Sequence, residues 1–278
     1  MPNLMFYFLI LFLPIVTPAQ VNVLTANYGN DRTNANLAET VLTTANVGPG
    51  SFGKLGAYAV DGQIYAQPLV AGGVMIDGAP RNVVYVATMH NSLYAFDADD
   101  AGSTRPLWQV NFGRSVPAEF LKSDSIRIEV GILSTPVIDL SRNTIFAVSD
   151  TFEGGTPVFR LHALDLSDGS EKQGGSVEIK ALVDGDGDSS RNGKIPLDPV
   201  QHIQRPGLLL ANGRVYIAFG SHEDAYPYHG WVLAYDASDI RRQAAVFNTT
   251  PHGGSASVWQ AGRGPAADRA GIVLLPSG

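Results

Sequence analysis

Three stretches of this chain share one grammar: NVVYVATMHNSLYAFDADD (Asn82–Asp100), NTIFAVSDTFEGGTPVFRLHALDLSDG (Asn143–Gly169) and GRVYIAFGSHEDAYPYHGWVLAYDASD (Gly213–Asp239). In each, an apolar run rich in β-branched and aromatic residues leads into a loop of variable length. A second apolar run then closes on an Asp: Asp97, Asp165 and Asp236. A proline-bearing run precedes each copy, at Pro68, Pro136 and Pro206, and Pro265 opens a further one. The period of roughly 60–70 residues marks a repeat architecture.

The local pattern is that of strands. Leu93, Ala95 and Asp97 fall on one face of a pleated strand, Tyr94 and Phe96 on the other. Both faces are apolar, as in a sheet covered on two sides. A fourth apolar run follows each closing Asp, around Trp108, Val177 and Phe247. Four short strands per unit, with Gly-, Asp- and Ser-rich turns, describe the blade of a β-propeller. Proline at the head of the first strand fits, because that position need not donate to the ladder. The expected fold is all-β: a propeller of four-stranded blades, about three complete blades plus part of a fourth, forming an open arc or incomplete ring.

The expected organisation is a signal peptide over 1–19, an N-terminal extended segment over 20–50 and a partial propeller over 51–278. Its blades span about 61–113, 130–180 and 203–249, with the start of the next at 257–278. The apolar stretch Leu4–Val16, followed by Thr17-Pro18-Ala19 before Gln20, has the length and small-residue cleavage pattern of a secretory signal. The expected location is therefore periplasmic or extracellular, with no stable transmembrane segment after cleavage. Phe52–Val60 reads as a fourth-strand run of the kind that closes a propeller ring. The blade such a run would complete is missing, so the chain reads as a fragment, with unpaired edges at both ends.

Composition narrows the function. With 19 Lys and Arg against 26 Asp and Glu, the net charge is −7 and there is no basic run, which argues against nucleic acid. The chain has no Cys, which removes disulfides, thiolate metal sites and Cys nucleophiles.

The phrases VYVATMHNSLYAFDAD, QRPGLLLANGRVYIAFGSH and YHGWVLAYDA resemble the pyrroloquinoline-quinone-type (PQQ-like) β-propeller repeat proteins, over about residues 60–270. That group includes quinoprotein dehydrogenases and non-catalytic outer-membrane assembly propellers. Its docking phrase, Ala-x-Asp-x-x-Thr-Gly-x-x-x-Trp, ties adjacent blades together. Here Ala95-Phe96-Asp97 through Trp108 keeps its ends with an altered middle, and Asp168-Gly169 keeps the turn in the second copy.

Strand order in a propeller puts the head of each first strand and the loop between strands two and three on one face. This gathers Gln67, Thr135 and Arg205 at the channel mouth, beside the loops Met89–Asn91, Asp150–Thr156 and His222–His229. The connections Gly113–Ser134 and Lys180–Gln204 emerge on that face too. Candidate ligand-binding residues there are Gln67, His90, Arg205, His222, Asp224 and His229. Arg205 suits an anionic ligand or an internal carboxylate, and the loop SHEDAYPYHGW suits either a site or a packed structural turn. Asp184, Asp186 and Asp188 alternate as in the opening of a calcium loop, yet Ser189 and Ile195 stand where an EF-hand has Gly and Glu. Asn248-Thr249-Thr250 matches a glycosylation sequon.

Two functions remain. The first is a non-enzymatic, exported binding or scaffold module that uses the loop-bearing face toward another protein or an extracellular or periplasmic ligand, and needs no cofactor. The alternative, implied by the resemblance, is a quinoprotein alcohol or sugar dehydrogenase fragment. It would use PQQ and calcium, with Trp108, Trp231 and Trp259 available for stacking.

Overall fold

A computed structural model describes residues 22–121 and 126–278; the expected signal peptide lies outside the described residues. Among the described residues the molecule is built of antiparallel sheets, with helix confined to two 3-10 turns at Ala118–Phe120 and Leu140–Arg142. The first sheet runs Leu69–Ile76, Ala79–Ala87, Ser92–Asp97 and Trp108–Asn111 in sequence order. The second runs Val137–Asp139, Thr144–Glu153, Thr156–Asp165 and Val177–Glu178. The third holds Leu209–Ala211, Arg214–Ser221, Trp231–Asp236 and Asp239–Asn248, with His202–Ile203 added beside Ser221 and Gly220.

Their registers coincide. Leu69, Tyr85 and Ala95 lie abreast in the first sheet, as do Val137, Phe146 and Ala163 in the second and Leu209, Tyr216 and Ala234 in the third. In the third sheet, Asn212-Gly213 makes the first hairpin turn with both residues at positive φ, as a type I′ turn requires. The repeated Asp has a local reason. Asp97, Asp165 and Asp236 each accept a hydrogen bond from the backbone N–H two residues on, at 3.0, 2.9 and 2.8 Å, closing an Asx turn after the third strand.

Three readings of the sequence are corrected. Val110, opposite Leu93, is the counterpart of Val177 opposite Leu161 and Phe247 opposite Val232. Trp108 sits opposite Ala95, one pleat nearer the Asx turn, because the turn lengths differ between copies. Asp150–Thr156 is not a long loop: its strands continue to Glu153 and from Thr156, joined by Gly154-Gly155 alone. Phe52–Val60 forms no strand. Its Tyr58 and Val60 instead pack on Val86, Tyr94 and Phe96, the outward face of the first sheet.

The alternating strands bury both faces. Leu69, Tyr85, Leu93 and Trp108 meet Ile138, Ile145 and Leu164 between the first and second sheets. Phe146, Phe159 and Leu161 meet Phe219, Trp231 and Leu233 between the second and third. The outward face of the third sheet, at Ala218 and Val232, is covered by Val258 and Leu275. Both ends of the stack are thus sheathed by irregular segments of the chain itself.

The inner strands are laced together by residues 22–34. Val23 bridges Val70, Leu24 O accepts from Ile138 N at 2.8 Å, and Thr25 Oγ1 donates to Leu208 O at 3.2 Å. With Asn30 Nδ2 donating to Leu210 O at 2.8 Å, one short segment touches the first strand of all three sheets. Residues 35–57 beyond it form no strand and leave Leu37 and Leu55 about nine-tenths exposed.

Candidate functional site on the loop-bearing face

The connections between sheets do gather with the ends of the second and third strands. Ser115 bridges Thr151, Phe152 N donates to Arg114 O at 2.8 Å, and Asn91 Nδ2 donates to Asp150 O at 2.8 Å. At the third sheet the same face carries the loop from His222 to Gly230, between Ser221 and Trp231.

His202 is the anchor of that loop. Its Nδ1 lies 3.0 Å from Asp198 O and must donate there, so Nε2 is the acceptor. Nε2 receives the His229 backbone N–H at 3.2 Å and the Trp231 indole N–H at 3.3 Å. His229 in turn spans Thr250 Oγ1 at 2.9 Å and Asp188 O at 2.8 Å. The Gln201 side chain donates to Ala225 O, and Ser221 Oγ donates to Glu223 O at 2.5 Å. His222 is buried, and neither of its ring nitrogens makes a well-formed hydrogen bond. Burial, with lesser repulsion from His229 on the first ring and from His202 on the second, lowers both His202 and His222 to about 4. Both imidazoles are therefore neutral at pH 7. On the outside of this fastened base, Glu223, Asp224 and Tyr226 are exposed, and Asp224 accepts from the Tyr228 hydroxyl at 3.3 Å.

The remaining candidates are distributed more widely. Gln67 and Thr135 meet, the Gln67 backbone N–H donating to Thr135 Oγ1 at 3.0 Å, while Gln67 Oε1 accepts from Asn27 N at 2.9 Å. His90 is exposed and paired with Glu129 at 3.0 Å; that hydrogen bond raises its pKa. Arg205 is half-buried and, among the described residues, makes neither an ion pair nor a side-chain hydrogen bond. Asn248 of the sequon is buried, and its Oδ1 accepts from Thr250 N at 2.9 Å.

The acidic loop does not converge. Asp184 pairs with Lys194 at 2.5 Å, Asp186 with His252 at 2.6 Å, and Asp188 stands beside Gly254 and the Tyr226 hydroxyl. Among the described residues no three His, Asp or Glu side chains come together as a metal would require. The tryptophans are equally committed. Trp231 is fully buried against His202, Trp108 donates to Leu166 O at 3.0 Å, and Trp259 packs edge-on to Tyr228. Among the described residues these candidates therefore do not fit a quinone and calcium site: Asp184, Asp186 and Asp188 face separate partners, and Trp108 and Trp231 lie in the cores between sheets.

Two arrangements had no signal in the sequence. Ser149 Oγ, His162 and Glu171 line up with 2.9 Å from Oγ to Nε2 and 2.5 Å from Nδ1 to the carboxylate. This is the order of a hydrolase triad. Ser149 is fully buried, however, and the His162 ring is stacked 3.8 Å from Phe112, so no acyl carbon can approach. Asp150 is also buried, its carboxyl makes no hydrogen bond, and burial raises its pKa well above the ordinary value. Both sit within alternating strands, where polar residues read as exposed.

No family model and no curated protein matches this chain. Solved structures do. A quinohemoprotein alcohol dehydrogenase from Pseudomonas putida HK5 superimposes with a TM-score of 0.52 at 18% identity, over 82% of this chain and 27% of that one. The quinohemoprotein alcohol dehydrogenase of Comamonas testosteroni gives 0.52 at 15% identity, over the same shares. The fold is therefore of the PQQ-type β-propeller class, and the chain spans about a quarter of the length of the structures it matches. Among the described residues no helix is long and apolar enough to cross a membrane.

Proposed function

We propose that this chain is an exported, non-enzymatic binding or scaffold module, its three sheets serving as three blades of a PQQ-like propeller that presents the His222–Gly230 loop to a protein or extracellular ligand. One observation carries this reading: the base of the loop is held by buried histidines and backbone pairing, while Glu223, Asp224 and Tyr226 point outward from it. An aromatic and two acids on a fastened loop suit recognition, because little freedom is lost on binding. The full chain screened on peptide and glycan arrays is expected to select ligands that both Tyr226→Ala and Asp224→Ala lose. Identical selections by wild type and variants would sink the proposal.

The alternative, a quinoprotein alcohol or sugar dehydrogenase, is favoured by the likeness of fold. Bound PQQ would supply the two-electron acceptor and calcium its polarisation. The full chain mixed with PQQ and calcium is expected to keep no quinone absorbance after gel filtration and to reduce no dye with alcohols or sugars. Retained quinone with dye reduction would reverse the choice between the two.

A further inference from the structure

Arg32 is the most unusual cation in the molecule. It is only 6% exposed, yet among the described residues no carboxylate forms an ion pair with it. Its guanidinium donates to Pro265 O (3.0 Å), Thr25 Oγ1 (2.7 Å), Ala26 O (2.7 Å) and Leu208 O (3.0 Å). These bonds take four of the five guanidinium N–H donors and leave one on Nη2, while Asp31 acts on the charge without forming an ion pair; a cation so poorly solvated is relieved by an anion. Burial accordingly lowers its pKa to about 10.

Arg32 lines an open cleft of about 460 Å³, and a second cation lines it too. Arg263 is exposed and, among the described residues, its side chain has neither an ion pair nor a hydrogen bond. Asp31 is the one carboxylate on the wall, so the lining carries two positive charges against one negative. Gln260 supplies the complement. Its Nε2 donates to Gly264 O at 3.2 Å, while its Oε1 is buried without a donor. That oxygen can accept an O–H from a ligand, as a buried carbonyl needs.

We infer that this cleft, formed where residues 22–34 cross the inner edges of the sheets, binds a small oxyanion that also carries an O–H, either hydrogen phosphate or a short hydroxycarboxylate. Arg32 and Arg263 hold the negative oxygens, and Gln260 Oε1 takes the hydroxyl. The site is separate from the His222–Gly230 loop and stands or falls without it.

The test is thermal unfolding of the full chain at constant ionic strength, titrated separately with inorganic phosphate, glycolate and acetate. Phosphate or glycolate is expected to raise Tm saturably, and which of the two does so identifies the ligand class. Acetate, lacking the O–H, is expected to bind about tenfold more weakly. Arg263→Ala, at an exposed position that spares the fold, should abolish the rise, with Arg263→Lys restoring part of it. Gln260→Leu should weaken phosphate or glycolate and leave acetate unchanged. The inference is overturned if no anion gives a saturable rise, or if the rise survives in Arg263→Ala.

Discussion

The two junctions between sheets solve one problem with different residues. In each, the carbonyl just after the closing Asp must find a donor once the neighbouring sheet covers it. At the first junction that carbonyl is Leu166 O, and it takes two bonds, from the Trp108 indole at 3.0 Å and the Tyr85 hydroxyl at 2.9 Å. At the second it is Ala237 O, and the donor is Gln173 Nε2 at 3.1 Å, whose Oε1 also receives Ile240 N at 2.6 Å. The first junction combines the bond with a large buried ring; the second uses an amide fork without one. At each junction a backbone carbonyl of one sheet's closing turn thus finds its donor on the preceding unit, from a different side chain.

Trp108→Ala should expose the inequality between them. A buried Trp cut to Ala costs about 3–5 kcal/mol, and here it also removes one donor from Leu166 O. Gln173→Ala removes no comparable ring and should cost about 1–2 kcal/mol. Urea unfolding of both variants gives the comparison directly; equal losses would mean that the ring adds nothing beyond its hydrogen bond. The Trp108 site also explains Gly169. At φ +72° a Cβ on that residue would lie 2.7 Å from the Trp108 ring, so the close approach of turn and indole needs glycine.

Acid should separate the junctions in another way. Trp231, in the core of the second junction, depends on His202 Nε2 remaining an acceptor. Protonation would set a new N–H against two donors. His202 and His222 stand at about 4 in the fold against about 6.5 when unfolded, so the unfolded chain binds protons first. Stability is full above pH 6.5 and falls as pH drops toward 4, by about 3 kcal/mol per fully buried site. Glu153, held at about 2 by its bonds to Arg160, has the same sign but loses its contribution only below the ordinary carboxylate range. Hydrogen exchange at pH 7 and pH 5 should therefore show Trp231–Asp236 losing protection while Ser92–Asp97 keeps it. Uniform loss in both strands would remove the histidines as the cause.

The sequence carried the repeat well because the repeat is local. Period-2 alternation, the Asx-forming Asp and the Asn212-Gly213 turn all act within a few residues of themselves, and the shared register of Tyr85, Phe146 and Tyr216 follows. The site was less legible. His222, Asp224 and His229 do share one loop, but Asp184 and Asp186 turn to separate partners, Lys194 on the paired strand and His252, which is 66 residues away. Arg32 could not be found at all. Its role comes from carbonyls at Leu208 and Pro265, more than 170 residues away, and backbone acceptors leave no mark in composition.

Tyr58 extends the comparison to the end of the stack. Among the described residues no sheet covers the outward face of the first sheet, yet its closing turn also takes a side-chain donor. Tyr58 caps that turn at neighbouring carbonyls, not at Ala98 O, its hydroxyl lying 3.2 Å from Asp97 O and 3.0 Å from Asp100 O, with its ring 4.7 Å from Phe96. Like Trp108 at the second sheet it brings a ring and a donor to the closing turn, but to different carbonyls and from an irregular segment in place of a strand. Because Tyr58 is only half-buried, water can replace the lost donor, and Tyr58→Phe should cost about 0.5–1 kcal/mol. Tyr58→Ala should cost more, through Phe96. If Tyr58→Phe instead matched Trp108→Ala in urea, the capping bond would outweigh ring burial throughout the stack, and the distinction between the two junctions would have to be redrawn around hydrogen bonding alone.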